Sequence, residues 1–101
     1  MPRHYAPRAP LECVAGDGRE RVAALLRQGV RVGWVTWAGA GEVPGAVTVR
    51  MPGDPTAYAA RLYAALHELD AAGVERIVLA LPPEGDDWLA VRDRLRRAAE
   101  K

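Results

Sequence analysis

With 101 residues, half of them hydrophobic and 27% charged, the chain has room for one domain with a modest core and reads as neither disordered nor membrane-like. A net charge of +1 gives no strong steering toward nucleic acid, and a single cysteine, Cys13, excludes an intramolecular disulfide and a cysteine-rich metal site. No Ser, Asn or Phe occurs, and Lys101 is the one lysine, so a Ser–His–Asp triad cannot be assembled.

In chain order, residues 1–10 hold three prolines and read as an extended arm. Leu11 to Ala15 forms a short first strand, with Leu11, Cys13 and Ala15 on one face and Glu12 and Val14 on the other; Glu12 marks a partly solvated start. Gly16-Asp17-Gly18 turns the chain. Asp17 and Glu20 have capping-box spacing, Val22, Leu25 and Leu26 form the apolar face of the first helix, and Gly29 ends it. Val30 to Ala38 is a second strand with Val30, Val32, Trp34 and Thr36 on one side and Gly33, Val35 and Trp37 on the other, so both faces are covered. A loop over 38–45 leads to a third strand at Ala46 to Met51. That connection is short for a parallel pair, which keeps an antiparallel third strand open.

The segment Gly53 to Gly73 is the longest regular run. Asp54 suits the cap, Pro55 the first turn and Gly73 the stop, while Tyr58, Leu62, Leu66 and Leu69 fall on one helical stripe, with Arg61, Glu68 and Asp70 off it. Val74 to Leu81 ends in an apolar run and forms the fourth strand. After Pro82-Pro83, Asp86 or Asp87 is expected to cap a last helix with Trp88, Val91 or Leu95, and Ala98 facing inward. The alternation of helix and strand predicts an α/β layer.

Two stretches carry a family resemblance. GDPTAYAARLYAALHELDAAGVERIVLALPP at 53–83, followed by WLAVRDRLRRAA at 88–99, resembles the end of the C-terminal domain of the long, two-domain threonylcarbamoyl-AMP synthases, in which a YrdC-like catalytic domain precedes a smaller Rossmann-like one. Arg3-His4-Tyr5-Ala6-Pro7 is similar to the RHYAP part of the linker between those domains. The family's linker begins earlier, with a Ser-Pro-Gly-Met run and a Lys-Tyr pair; Met1 and Pro2 stand here where Lys and Tyr would. The resemblance implies a three-layer α/β/α Rossmann-like fold: a mostly parallel four-stranded sheet in the order 3-2-1-4 with three helices, right-handed crossovers placing helices on both faces. The arm is then residues 1–10 and the domain residues 11–101.

The Lys-x-Arg pair and Ser-x-Asn motif of the YrdC-like domain cannot be written with the residues of this chain, so no catalytic residue is expected. The resemblance implies that Arg3, His4 and Tyr5 meet substrate, and in a chain without the catalytic domain they reach only the cleft of another protein. The expected function is a stand-alone, non-catalytic accessory domain in tRNA threonylcarbamoyladenosine biosynthesis. A separate YrdC-like protein is the expected partner, with ATP or an adenylate entering only through it and no cofactor of its own. The alternatives are a small-molecule or nucleotide-binding module, or a remnant without a role. No signal-like or bilayer-length apolar segment appears, and a cytoplasmic location is expected, with no membrane partner and homo-oligomerisation left open.

Other candidate chemistry is weighed against its structural alternative. Gly16-x-Gly18 follows a strand and opens a helix, as in phosphate cradles, but Arg21 replaces the third glycine and Asp17 repels an anion, so a tight turn is the better reading. In the order 3-2-1-4 the topological switch lies between strands one and four, which predicts a ligand crevice at Gly16, Asp17, Gly18, Pro82, Pro83 and Glu84. His4 and His67 show no metal-ligand spacing, and His67 reads as solvated. Arg92, Arg94, Arg96, Arg97 and Lys101 complement the last helix's dipole, and near-neutral overall charge argues against direct tRNA binding. Trp34, Trp37 and Trp88 read as core or cleft-lining groups.

Overall fold

The computed structural model describes residues 7–99. In chain order these form β1 (Leu11–Val14), α1 (Arg19–Arg27), β2 (Val32–Trp37), β3 (Val47–Met51), α2 (Pro55–Ala71), β4 (Arg76–Ala80), a 3-10 turn (Asp86–Trp88) and α3 (Leu89–Ala99). All strand pairs are parallel, and the sheet runs β1-β4-β2-β3. The α/β class and the three helices are as expected, and β3 is parallel, but the order 3-2-1-4 becomes 3-2-4-1. The exchange follows burial. Ile77, Val78, Leu79 and Ala80 of β4 are fully buried and take a central position between β2 and β1. β1 buries only Leu11 fully, with Cys13 and Val14 half-buried against the two cores, and carries half-exposed Glu12, paired with Arg21 at 2.8 Å, which suits an edge.

The alternating faces of the central strands divide the molecule into two cores. Val32 and Trp34 of β2 and Val78 of β4 pack beneath Val22 and Leu25 of α1. On the other face Val35, Ile77, Leu79, Val49 and Met51 meet α2 and α3. Helix α2 forms where its sequence signals place it: Asp54 Oδ2 accepts the Ala57 amide at 2.9 Å, and Tyr58, Leu62, Leu66 and Leu69 are all buried. Each buried side chain of this size contributes about 1.5–3 kcal/mol. Gly33 lets that stripe lie close to β2, since a Cβ there would come within 3.0 Å of Leu69. Trp88, Val91, Leu95 and Ala98 turn inward on the 3-10 turn and α3.

Two caps differ from expectation. Asp17 does not close a capping box: Gly18, at φ +84, is the N-cap of α1, and Asp17 Oδ1 accepts instead from the amide two residues on, Arg19, at 2.9 Å. Neither Asp86 nor Asp87 caps α3, because both lie inside the 3-10 turn that runs into it. The β2–β3 connection, too short for a helix, packs Ala40, Val43 and Ala46 against the α1-side core and so does a helix's work of covering that face.

The amino-terminal segment is fastened at the opposite end of the sheet from the strand carboxyl ends. Asp70, near the end of α2, accepts from the Arg8 amide at 3.0 Å, and the Pro10 carbonyl accepts from the Ile77 amide at 2.9 Å as β4 begins.

Candidate functional site

The carboxyl ends of the four strands carry the functional candidates. From β1 the chain leaves through Gly16-Asp17-Gly18 toward the α1 face, and from β4 through Pro82-Pro83 toward α3 on the other face. Because β1 and β4 are paired, the switch point between them survives the change in strand order. A cavity of about 510 Å3 opens there, lined by Gly16, Trp37, Pro52, Gly53, Tyr58, Leu81, Pro82, Pro83 and Trp88. All four strands end at it. Trp37 closes β2, Pro52-Gly53 follow β3, Leu81 to Pro83 follow β4, and Gly16 follows β1.

The aromatic walls are ordered by their elements. The ring of Tyr58, in the first turn of α2, meets Trp88 edge to face, with centroids 5.4 Å apart and planes at 87°. Tyr58 is 2% exposed, and its hydroxyl finds no hydrogen-bond partner among the described residues. Burial is the main cause that raises its pKa above the usual tyrosine value; the nearby Cys13 thiol adds to the rise. Burial likewise raises Cys13, with the Arg92 guanidinium opposing it. Arg92 donates to the Pro82 carbonyl at 2.6 Å and fixes the start of the β4–α3 turn.

Of the expected crevice residues, Gly16, Pro82 and Pro83 line this cavity. Asp17 and Gly18 line a separate depression of about 400 Å3 along residues 14–21, and Glu84 is exposed and lines neither. The glycine turn is filled by the protein itself. Trp34 Nε1 donates to the Asp17 carbonyl at 2.7 Å, Thr36 Oγ1 reaches the same oxygen at 3.4 Å, and a Cβ on Gly18 would meet Trp34 Nε1 at 3.1 Å. Packing therefore accounts for Gly18. Trp37 and Trp88, read from the sequence as core or cleft-lining groups, also line the larger cavity, whereas Pro52, Gly53, Tyr58 and Leu81 are lining residues that the sequence did not single out. Their common signal is position, since Trp37, Tyr58 and Trp88 each fall at a strand's carboxyl end or in the turn that opens a helix.

Arg3, His4 and Tyr5 lie outside the described residues. His67 is exposed on α2, its ring 4.3 Å from that of Tyr63. Among the described residues no three His, Cys, Asp or Glu side chains cluster as metal ligands, and no helix is long and apolar enough to cross a membrane.

A model of the family described as threonylcarbamoyl-AMP synthase, C-terminal domain, matches residues 1–100. The chain belongs to this family. Among solved structures it is similar to P. abyssi Sua5 complexed with L-threonine, at 28% identity and a TM-score of 0.77, over 96% of this chain and 30% of that one. It is also similar to the C-terminal Sua5 domain of a Pyrococcus horikoshii protein, at 28% identity and a TM-score of 0.69, covering 90% of this chain and 93% of that one. The chain thus spans under a third of the P. abyssi protein and nearly all of the isolated domain. No curated protein matches.

Proposed function

We propose that this chain is a non-catalytic accessory domain of threonylcarbamoyl-AMP synthesis, acting with a separate YrdC-like catalytic protein in the formation of threonylcarbamoyladenosine in tRNA. The observation that carries the reading is the extent of the family match, which runs from residue 1 and so takes in the Arg3-His4-Tyr5 segment along with the α/β body. On this reading the body docks beside the partner while Arg3, His4 and Tyr5 lie over the partner's cleft, excluding water and holding the intermediate until it is passed on. The composition supports a division of labour, because the serine, asparagine and paired lysine–arginine that the catalytic motifs need are not among these residues.

The test is to mix the purified chain with a YrdC-like protein and follow adenylate product and ATP hydrolysis, with gel filtration in parallel. Co-elution and a changed product-to-hydrolysis ratio, lost on replacing Arg3 and His4 with Ala, are expected. Unchanged rates without co-elution overturn the proposal, as does synthesis of the adenylate by the chain alone.

A further inference from the structure

We propose that the cavity at the strand carboxyl ends is a binding site for an uncharged, flat ring of nucleobase or indole size. Its volume of about 510 Å3 lies in the range of small-molecule sites, and topology puts it where open α/β sheets take ligands. Three aromatic rings and three prolines supply the walls, and no charged side chain lines it among the described residues. Such a wall stacks on a planar group and offers nothing to a phosphate. The usual phosphate position in this topology, the amino end of the first helix, is already taken: Asp17 presents its carboxylate there and accepts the Arg19 amide.

The Tyr58 hydroxyl is the independent pointer to a ligand. A buried hydroxyl without a partner is a net cost to the fold, and such groups in native proteins call for an explanation. Tyr58 lines the cavity, and its hydroxyl is the buried side-chain polar atom left unsatisfied among the described residues. A ligand acceptor that reaches the hydroxyl relieves that cost. The lining favours a small molecule over a docked protein surface, for the large apolar side chains exposed on the described surface, Val47, Tyr63 and Leu89, are all absent from it.

The inference does not depend on the accessory reading, and the experiment needs no partner protein. Adenosine and N-acetyltryptophanamide, both uncharged at neutral pH, are titrated into the full chain by calorimetry and tryptophan fluorescence, with AMP as the charged counterpart. At least one of the uncharged probes should bind saturably, and which one identifies the ring class; AMP should bind ten-fold or more weakly. Gly53→Leu is the blocking variant, because its backbone lies outside the left-handed region and a Cβ there meets nothing within 4 Å. It should fold and lose at least ten-fold in affinity, while Tyr58→Phe should lose several-fold. No saturable binding by either uncharged probe overturns the proposal, as does AMP binding as tightly as adenosine, or an affinity that Gly53→Leu leaves unchanged in a folded protein.

Discussion

The turns after β1 and β4 leave neighbouring strands at the same end of the sheet, yet one packs its second glycine onto Trp34 and the other walls an aromatic cavity. After β1, two glycines bring the backbone down onto Trp34, whose indole N–H occupies the Asp17 carbonyl, and the Asp17 side chain takes the Arg19 amide. After β4, two prolines border a space walled by rings, with an unpaired hydroxyl on one of them. The turn that looks like a ligand motif in the sequence is thus spent on internal packing. The plain proline turn borders the room in which something else fits.

The largest expected effect tests the filled side. Gly18→Ala forces a side chain into φ +84 and against Trp34, Val14 and Val78, and should cost about 3 kcal/mol in a urea melt. Gly16→Ala, also at positive φ but with open space around its Cβ, should cost only about 1 kcal/mol. Equal losses would break the contrast between packed and unpacked glycine. Next comes Trp34→Phe, which removes the donor at 2.7 Å from the Asp17 carbonyl and should cost about 2 kcal/mol by the same measurement. Asp54→Ala uncaps the helix that carries Tyr58, and thermal unfolding should report a loss of about 1 kcal/mol.

The smallest effect sharpens the hollow side. Tyr58→Phe, which deletes a buried hydroxyl that has no partner, should leave stability at pH 7 unchanged or raise it by up to about 1 kcal/mol. The difference should grow in alkali. Because burial raises the folded Tyr58 pKa above 10.0, the unfolded chain loses its proton first, so stability is intact below pH 10 and falls as pH climbs past it. Cys13, raised from 9.0, acts in the same direction from a lower pH. Denaturation from pH 8 to 11 should therefore show a shallower decline in Tyr58→Phe than in the parent, and parallel curves would remove burial of that hydroxyl as the cause.

What could be read in the sequence was local. Asp54, Pro55 and the Tyr58–Leu62–Leu66–Leu69 stripe fix α2 through contacts within a few residues of one another, and they appear in the fold as expected. Strand order is a long-range choice. β2 can pair with β1, its neighbour in sequence, or with β4, and neither strand decides when read alone; the burial demanded by Ile77 to Ala80, set against the charge on Glu12, does. The capping box failed because Gly18 adopts a left-handed conformation between Asp17 and the helix, bringing the Arg19 amide within reach first. The cavity was hidden for a related reason. Tyr58 sits on an apolar helical stripe, where an aromatic reads as core, and only the meeting of four strand ends reveals that it faces a space as well.

Asp70 carries a geometric consequence of its own. By gripping the backbone at Arg8, it anchors the first described residues at the foot of the sheet, beside the start of β4. That foot lies about one strand length, roughly 17 Å, from the aromatic chamber.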